Sequence, residues 1–195
     1  MREVEKAKES ETKLNIPLVA LSFSLLLVLG LALSFLEDES SNSFKGDVVI
    51  DFNGHVSKYL NESYDLNNGF NIFLWREEKE NWSVAKISKM EANENFSLGL
   101  EEPKGERHVV FIFTELHGEG VSVLELLKRA SEIGGFEIST SHSSSLKATR
   151  ITAIAGVEDG ERGEYWQYWV DGKYATVGAD NNYPKGKHTI RWAIC

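Results

Sequence analysis

Twenty-one consecutive residues without an ionisable side chain, 16–36, constrain this chain more than any other stretch. A helix rises 1.5 Å per residue, so about 20 apolar residues cross the ~30 Å hydrocarbon core of a bilayer. A helix in a soluble core rarely stays apolar on every face for that length, because one side must meet water. The stretch therefore predicts a transmembrane helix at 16–36. A cleaved signal peptide is the alternative, since Gly30 and Ala32 supply the small residues of a cut after Ala32. The long leading segment and the apolar run beyond Ala32 favour an uncleaved anchor.

The flanks set an expected orientation. Arg2, Lys6, Lys8 and Lys13 precede the span, whereas Glu37, Asp38 and Glu39 follow it. Excess Lys and Arg stays on the cytoplasmic side, so 1–15 reads as a cytoplasmic tail and everything after the span as extracytoplasmic. The tail's four basic and four acidic residues cancel, so the net charge of −9 belongs to the exterior part. An acidic exterior repels phosphate backbones, which argues against a nucleic-acid partner. Three sequons within 61–97 (at Asn61, Asn81 and Asn95) suggest N-glycosylation where the host supplies the machinery. Cys195 stands alone, so no intrachain disulfide exists. It reads as a small hydrophobe ending the last strand, with an intermolecular bridge as the alternative.

Beyond the span, 37–46 is polar and acidic and reads as a spacer. Residues 47–52 (DVVIDF), 69–75 (GFNIFLW), 82–87 (WSVAKI) and 108–116 (HVVFIFTEL) carry the β-branched and alternating patterns of strands. Residues 91–107 read as a loop. Ser122 followed by Glu125 forms a capping box, and Val123, Leu126, Leu127, Ala130 and Ile133 then share one helical face. Gly134 and Gly135 supply the stop. Strands follow at 136–140, 147–155, 165–170, 173–177 and 187–194, with Asp171-Gly172 as a hairpin turn. In 147–155, strict alternation places Thr149, Ile151, Ala153 and Ala155 on one face.

No motif of known chemistry stands out in the sequence, and the expectation is a protein that is not an enzyme. His142 beside Ser141 and Ser143 sits in a Ser-rich loop, and a hydrolase built there is the weakest reading. The five histidines lack ligand spacing, so neither a metal nor another cofactor is expected. The aromatic density is different. Tyr165, Trp166, Tyr168, Trp169, Tyr174, Tyr183 and Trp192 fall within 28 residues. Alternation puts Trp166 and Tyr168 on one sheet face and Tyr165, Gln167 and Trp169 on the other. The expectation is that Trp169 and Trp192 fill the core while Trp166 belongs to an exposed aromatic platform for a flat or amphipathic ligand. The competing reading has every ring packed inside, in a structural cell-surface protein.

Residues 121–194 resemble the DUF4430 family, which is similar to the C-terminal β domain of transcobalamin and gastric intrinsic factor. The resemblance rests on Ser122-Val-Leu-Glu-Leu-Leu127, on ITAIAGV at 151–157 and on the block Tyr165-Trp-Gln-Tyr-Trp-Val-Asp-Gly172. Val177-Gly-Ala-Asp180, Tyr183 and His188-Thr-Ile190 complete it. It implies an α+β fold, a β-grasp-like sheet packed on one helix, here with extra N-terminal strands and preceded by one transmembrane helix. It sets a boundary between an extension at 47–106 and the family-like domain at 107–195. In the vitamin carriers such a domain closes over one face of cobalamin beside an α-helical barrel, which has no counterpart here. The resemblance and the aromatic pattern together nominate Tyr165, Trp166, Gln167, Tyr168, Lys173, Tyr174 and Tyr183 for binding an unknown small ligand, corrinoid-like or other, or a surface protein.

Overall fold

Runs of β-branched and aromatic residues pair into ten strands among the residues that the computed structural model describes, 43–87, 106–145 and 147–195. They are β1 (Ser43–Asp51), β2 (Gly69–Glu78), β3 (Asn81–Ile87), β4 (Arg107–Glu119), β5 (Ile138–Ser143), β6 (Ala148–Ile154), β7 (Val157–Glu158), β8 (Trp166–Val170), β9 (Lys173–Tyr174) and β10 (Gly186–Ile194). Two helices, α1 (Lys58–Ser63) and α2 (Val123–Gly134), and a 3-10 turn at Glu161–Gly163 join them. Seven strands form one mixed sheet in the order β3-β2-β4-β1-β10-β8-β9, and β5-β6-β7 form a second, smaller one. The β-rich character and the long helix match expectation. The predicted span at 16–36 and the Asn95 sequon lie outside the described residues. Among those described, no helix is long and apolar enough to cross a membrane.

One of the expected boundaries moves. β1 starts at Ser43, so the last residues of the presumed spacer are strand, and Phe44 is fully buried. Their polar company hid them, because a single buried ring every second position is a weak signal. Residues of the presumed extension do not form a layer of their own. β1 lies between β4 and β10, pairing antiparallel with one and parallel with the other, while β2 and β3 continue the sheet outward from β4.

One face of the large sheet holds the main core. Val48, Ile50, Phe111, Phe113, Ile190 and Trp192 point there and meet Val123, Leu126, Leu127 and Ala130 of α2. The capping box is made: Ser122 Oγ accepts from the Glu125 amide, and the Glu125 carboxylate accepts from the Ser122 amide at 2.7 Å. The Ser122 amide, followed by the Ser122 hydroxyl donating to the same carboxylate at 2.9 Å, holds the Glu125 carboxyl below the usual range. The next two helical amides donate to Asn182 O (2.9 Å) and Ala179 O (3.0 Å), so the loop before β10 closes the helix start. At the other end Gly135 takes φ 70°, and the hydroxyls of Tyr59 and Tyr64 donate to the carbonyls of Gly135 and Gly134. That contact places α1, six residues with too little periodicity to show in the sequence.

Two bulges set side-chain phase. Thr114 and Glu115 together oppose Asp47, so Leu116 returns to the core face already used by Phe113. Glu115 sits at φ 56°, and its amide donates to Asp47 Oδ1 at 3.0 Å. In β6 the pairing skips Thr152, so Ile151 and Ile154 are both buried. The strict alternation expected over 147–155 fails there for that reason.

Candidate functional site

The opposite face of the large sheet, the back face, is where Trp169 and Tyr174 stand. Strand register aligns Tyr174, Trp169, Arg191, Val49, Ile112 and Leu74 in one row across six strands. Gln167, Ala193, Asp51, Val110, Ile72 and Ile87 form the row beside it. The middle of the face is apolar and buried: Val49, Ile72, Leu74, Val110 and Ile112 are each at most 5% exposed. The β8–β9 margin is open. Tyr174 is 57% exposed, and Gln167 and Trp169 are half-buried. The Trp169 ring lies edge-on to Tyr174, centroids 5.8 Å apart, and the Arg191 guanidinium stands 5.4 Å from its centroid.

Arg191 is held in place from below. Its Nη2 donates to Asp51 Oδ2 at 2.8 Å, and Asp51 Oδ1 takes His108 Nε2 at 2.6 Å and the Asn53 amide at 2.9 Å. Burial alone would push the Asp51 carboxyl up. The bonds to His108 and Arg191, the His108 charge and the Asn53 amide outweigh that and hold it below the usual range. Asp51 and His108 are at most 1% exposed, so this pair is sealed from any substrate and serves to fix Arg191 beside Trp169. Sequence inspection missed it because its members are 57 and 140 positions apart.

The nominated residues divide. Trp166 and Tyr168 are each 7% exposed on the core face, which corrects the expected platform. Trp166 Nε1 donates to Val157 O at 3.0 Å, and Tyr168 Oη donates to Val177 O at 2.7 Å, so their polar tips are satisfied inside. Burial raises the Tyr168 hydroxyl above its ordinary pKa. Trp169, expected in the core, is half-buried on the back face; Trp192 is in the core as expected. The period of two sorted the rings correctly, but a strand with rings on both faces does not say which set is inside. Lys173 flanks Tyr174 on β9, exposed. Tyr165 lies past the strand end, 46% exposed, under the Arg150 guanidinium at 5.0 Å. Tyr183 is 53% exposed in the loop before β10. Gln167 and Tyr174 therefore belong with Trp169; Lys173, paired opposite Val170, lies on the other face, and Tyr165, Trp166, Tyr168 and Tyr183 do not join them either.

The remaining candidates are quickly placed. His142 Nδ1 lies 3.3 Å from Thr149 Oγ1, on an exposed strand. Asn61 and Asn81 are exposed, as a sequon requires. Cys195 is exposed rather than buried, because the chain leaves the sheet after Ile194; its backbone amide still pairs with Tyr165 O at 3.1 Å.

No curated protein matches the chain. Among solved structures, haptocorrin in complex with Cbi is similar at a TM-score of 0.36 and 12% identity, over 67% of this chain and 26% of that one. This chain thus spans about a quarter of the length of the structure it matches. Residues 120–194, which hold α2 and β5 to β10, match the family described as "Domain of unknown function (DUF4430)", and this part of the chain carries a domain of that family.

Proposed function

We propose that this chain is a membrane-anchored, extracytoplasmic binding protein that holds its ligand on the open β8–β9 margin of the back face. The observation that carries the reading is the half-buried Trp169 ring, braced between Arg191 and Tyr174. A flat molecule stacking there meets an aromatic face, a fixed guanidinium and the Gln167 amide, the mix of apolar area and few polar groups typical of small-ligand sites. The resemblance of the 165–172 block to the β domains of vitamin carriers, together with the β-grasp-like reading it supports, makes corrinoids the first flat ligands to try. The acidic exterior and the Lys/Arg-rich tail before the apolar stretch support the extracytoplasmic placement. Nothing in the binding reading calls for catalysis.

A thermal-shift screen of the purified chain against corrinoids, glycans and peptides tests the reading, because a ligand of the folded state raises apparent stability by RT ln(1 + [L]/Kd). The hit should lose its shift in Trp169→Ala and Tyr174→Ala and keep it in Tyr183→Ala. A hit that binds Trp169→Ala as well as the native chain would overturn this site. The alternative, a structural cell-surface protein without small ligand, draws on the burial of Trp166 and Tyr168. It predicts that no compound shifts the melt.

A further inference from the structure

A second depression lies away from the aromatic margin, and its chemistry is opposite. Gly54, Lys58, Asn61, Glu106, Arg107 and Arg162 line an open cavity of about 610 Å³ between α1, the start of β4 and the 3-10 turn. Three cations face one acid there, on a chain whose net charge is −9. A local positive hollow in a negative surface concentrates anions by focusing the field.

The fold places each cation. Arg162 sits at φ 57°, ψ 15°, between Gly160 and Gly163, which also take positive φ. Non-glycine residues in that region are uncommon and gather where a backbone must present a side chain. Of its acidic neighbours, Glu164 bonds His55 Nε2, and Glu161 lies 3.7 Å from His55 Nδ1. His55 is buried, so Glu164 is tied to the protein body, while Glu161 stays 60% exposed and Arg162 lines the cavity. Arg107 is steadied by donating from Nη1 to Asn61 Oδ1 at 2.7 Å. Among the described residues, Lys58 pairs with Glu62 on the exposed helix surface at 3.7 Å, a contact that an incoming anion displaces at little cost.

We propose that this cavity binds a small polyanion, a molecule bearing phosphate, sulfate or clustered carboxylates, through the guanidinium forks of Arg107 and Arg162 and the Lys58 ammonium. The two forks match the paired oxygens of such groups, and Lys58 adds a point charge. The site is independent of the aromatic margin, since no residue is shared.

Isothermal titration of the full chain at low ionic strength, with inorganic pyrophosphate, sulfate and citrate in separate runs, tests the proposal. One-to-one binding of at least one anion is expected, and which binds tightest identifies the head group. Arg107→Gln and Arg162→Gln should each weaken it about tenfold, the loss of one charge-assisted bond. Arg162→Lys should keep part of the affinity, and added salt should weaken binding in the native chain. Trp169→Ala should leave the anion affinity unchanged, which separates a failure here from a failure of the aromatic site. Arg162 is exposed, so its variants should melt with the native chain. Absence of saturable binding for all three anions, or binding that survives both glutamine substitutions, would overturn the proposal.

Discussion

Asp51, 1% exposed, holds three partners at once: His108, Arg191 and the Asn53 amide. Its carboxyl has a depressed pKa in the folded chain, so the folded state binds its proton less readily than the unfolded one. Its contribution to stability is therefore complete above the ordinary value of 3.8 and is lost as pH falls below it towards the depressed folded value. Urea unfolding from pH 6 down to pH 2 should show stability dropping in that acid window. Asp51→Asn should cost about 3–5 kcal/mol at neutral pH, as for removing one member of a buried ion pair, and should flatten the acid dependence. The tryptophans make a second comparison at this scale. Trp166→Ala and Trp192→Ala each empty a core position and should cost about 3–5 kcal/mol. Trp169→Ala loses chiefly its contact with Arg191 and should cost about 1 kcal/mol or less. Equal losses at all three positions would mean that Trp169 also serves the core.

At the scale of elements, the seam between β1 and β10 joins the two halves of the large sheet. Gly46 pairs with His188 there, and a Cβ at Gly46 would collide with the His188 carbonyl oxygen. Backbone cannot swing aside as a side chain can, so Gly46→Ala should force the strands apart and cost about 1–3 kcal/mol, read from the denaturation midpoint. Gly69→Ala, where a Cβ meets open space but φ is 82°, tests strain alone. A Gly46→Ala chain as stable as the native one would show the seam to be loose. This seam was not legible in the sequence. The alternation of 47–52 and 187–194 marks two strands, but parallel pairing of partners some 140 positions apart leaves no local trace. α2 was legible to its caps, because Ser122, Glu125 and Gly135 act on neighbours only a few residues away. The phase of β8 was half legible, since which aromatic set turns inward depends on what packs against the sheet. The margin beside Trp169 therefore emerged only with Arg191 and Tyr174 set across from it.

For the whole molecule, the decisive question is whether the apolar stretch at 16–36 holds the chain in a membrane. The sheet has a core of its own: α2, the small sheet and the strands bury Phe44, Phe111, Leu127, Ile154, Ile190 and Ile194 to within 1% exposure. Residues 42–195 form one compact unit by their contacts. Removing 1–41 should accordingly give a chain that stays in solution and melts cooperatively with native strand signal. The full chain should remain with membranes after an alkaline carbonate wash, which strips proteins held only by surface charge. Protease added to intact cells should then remove the sheet domain while sparing a tag placed before Arg2, as the Lys/Arg excess ahead of the span requires. Mass analysis of the membrane-bound chain should find residues 1–13 retained; a mature N-terminus just after Ala32 would instead make the stretch a cleaved signal. Release by carbonate, or a sheet domain protected in intact cells, would refute the anchored extracytoplasmic reading and leave the Trp169 margin to be tested as the site of a protein facing another compartment.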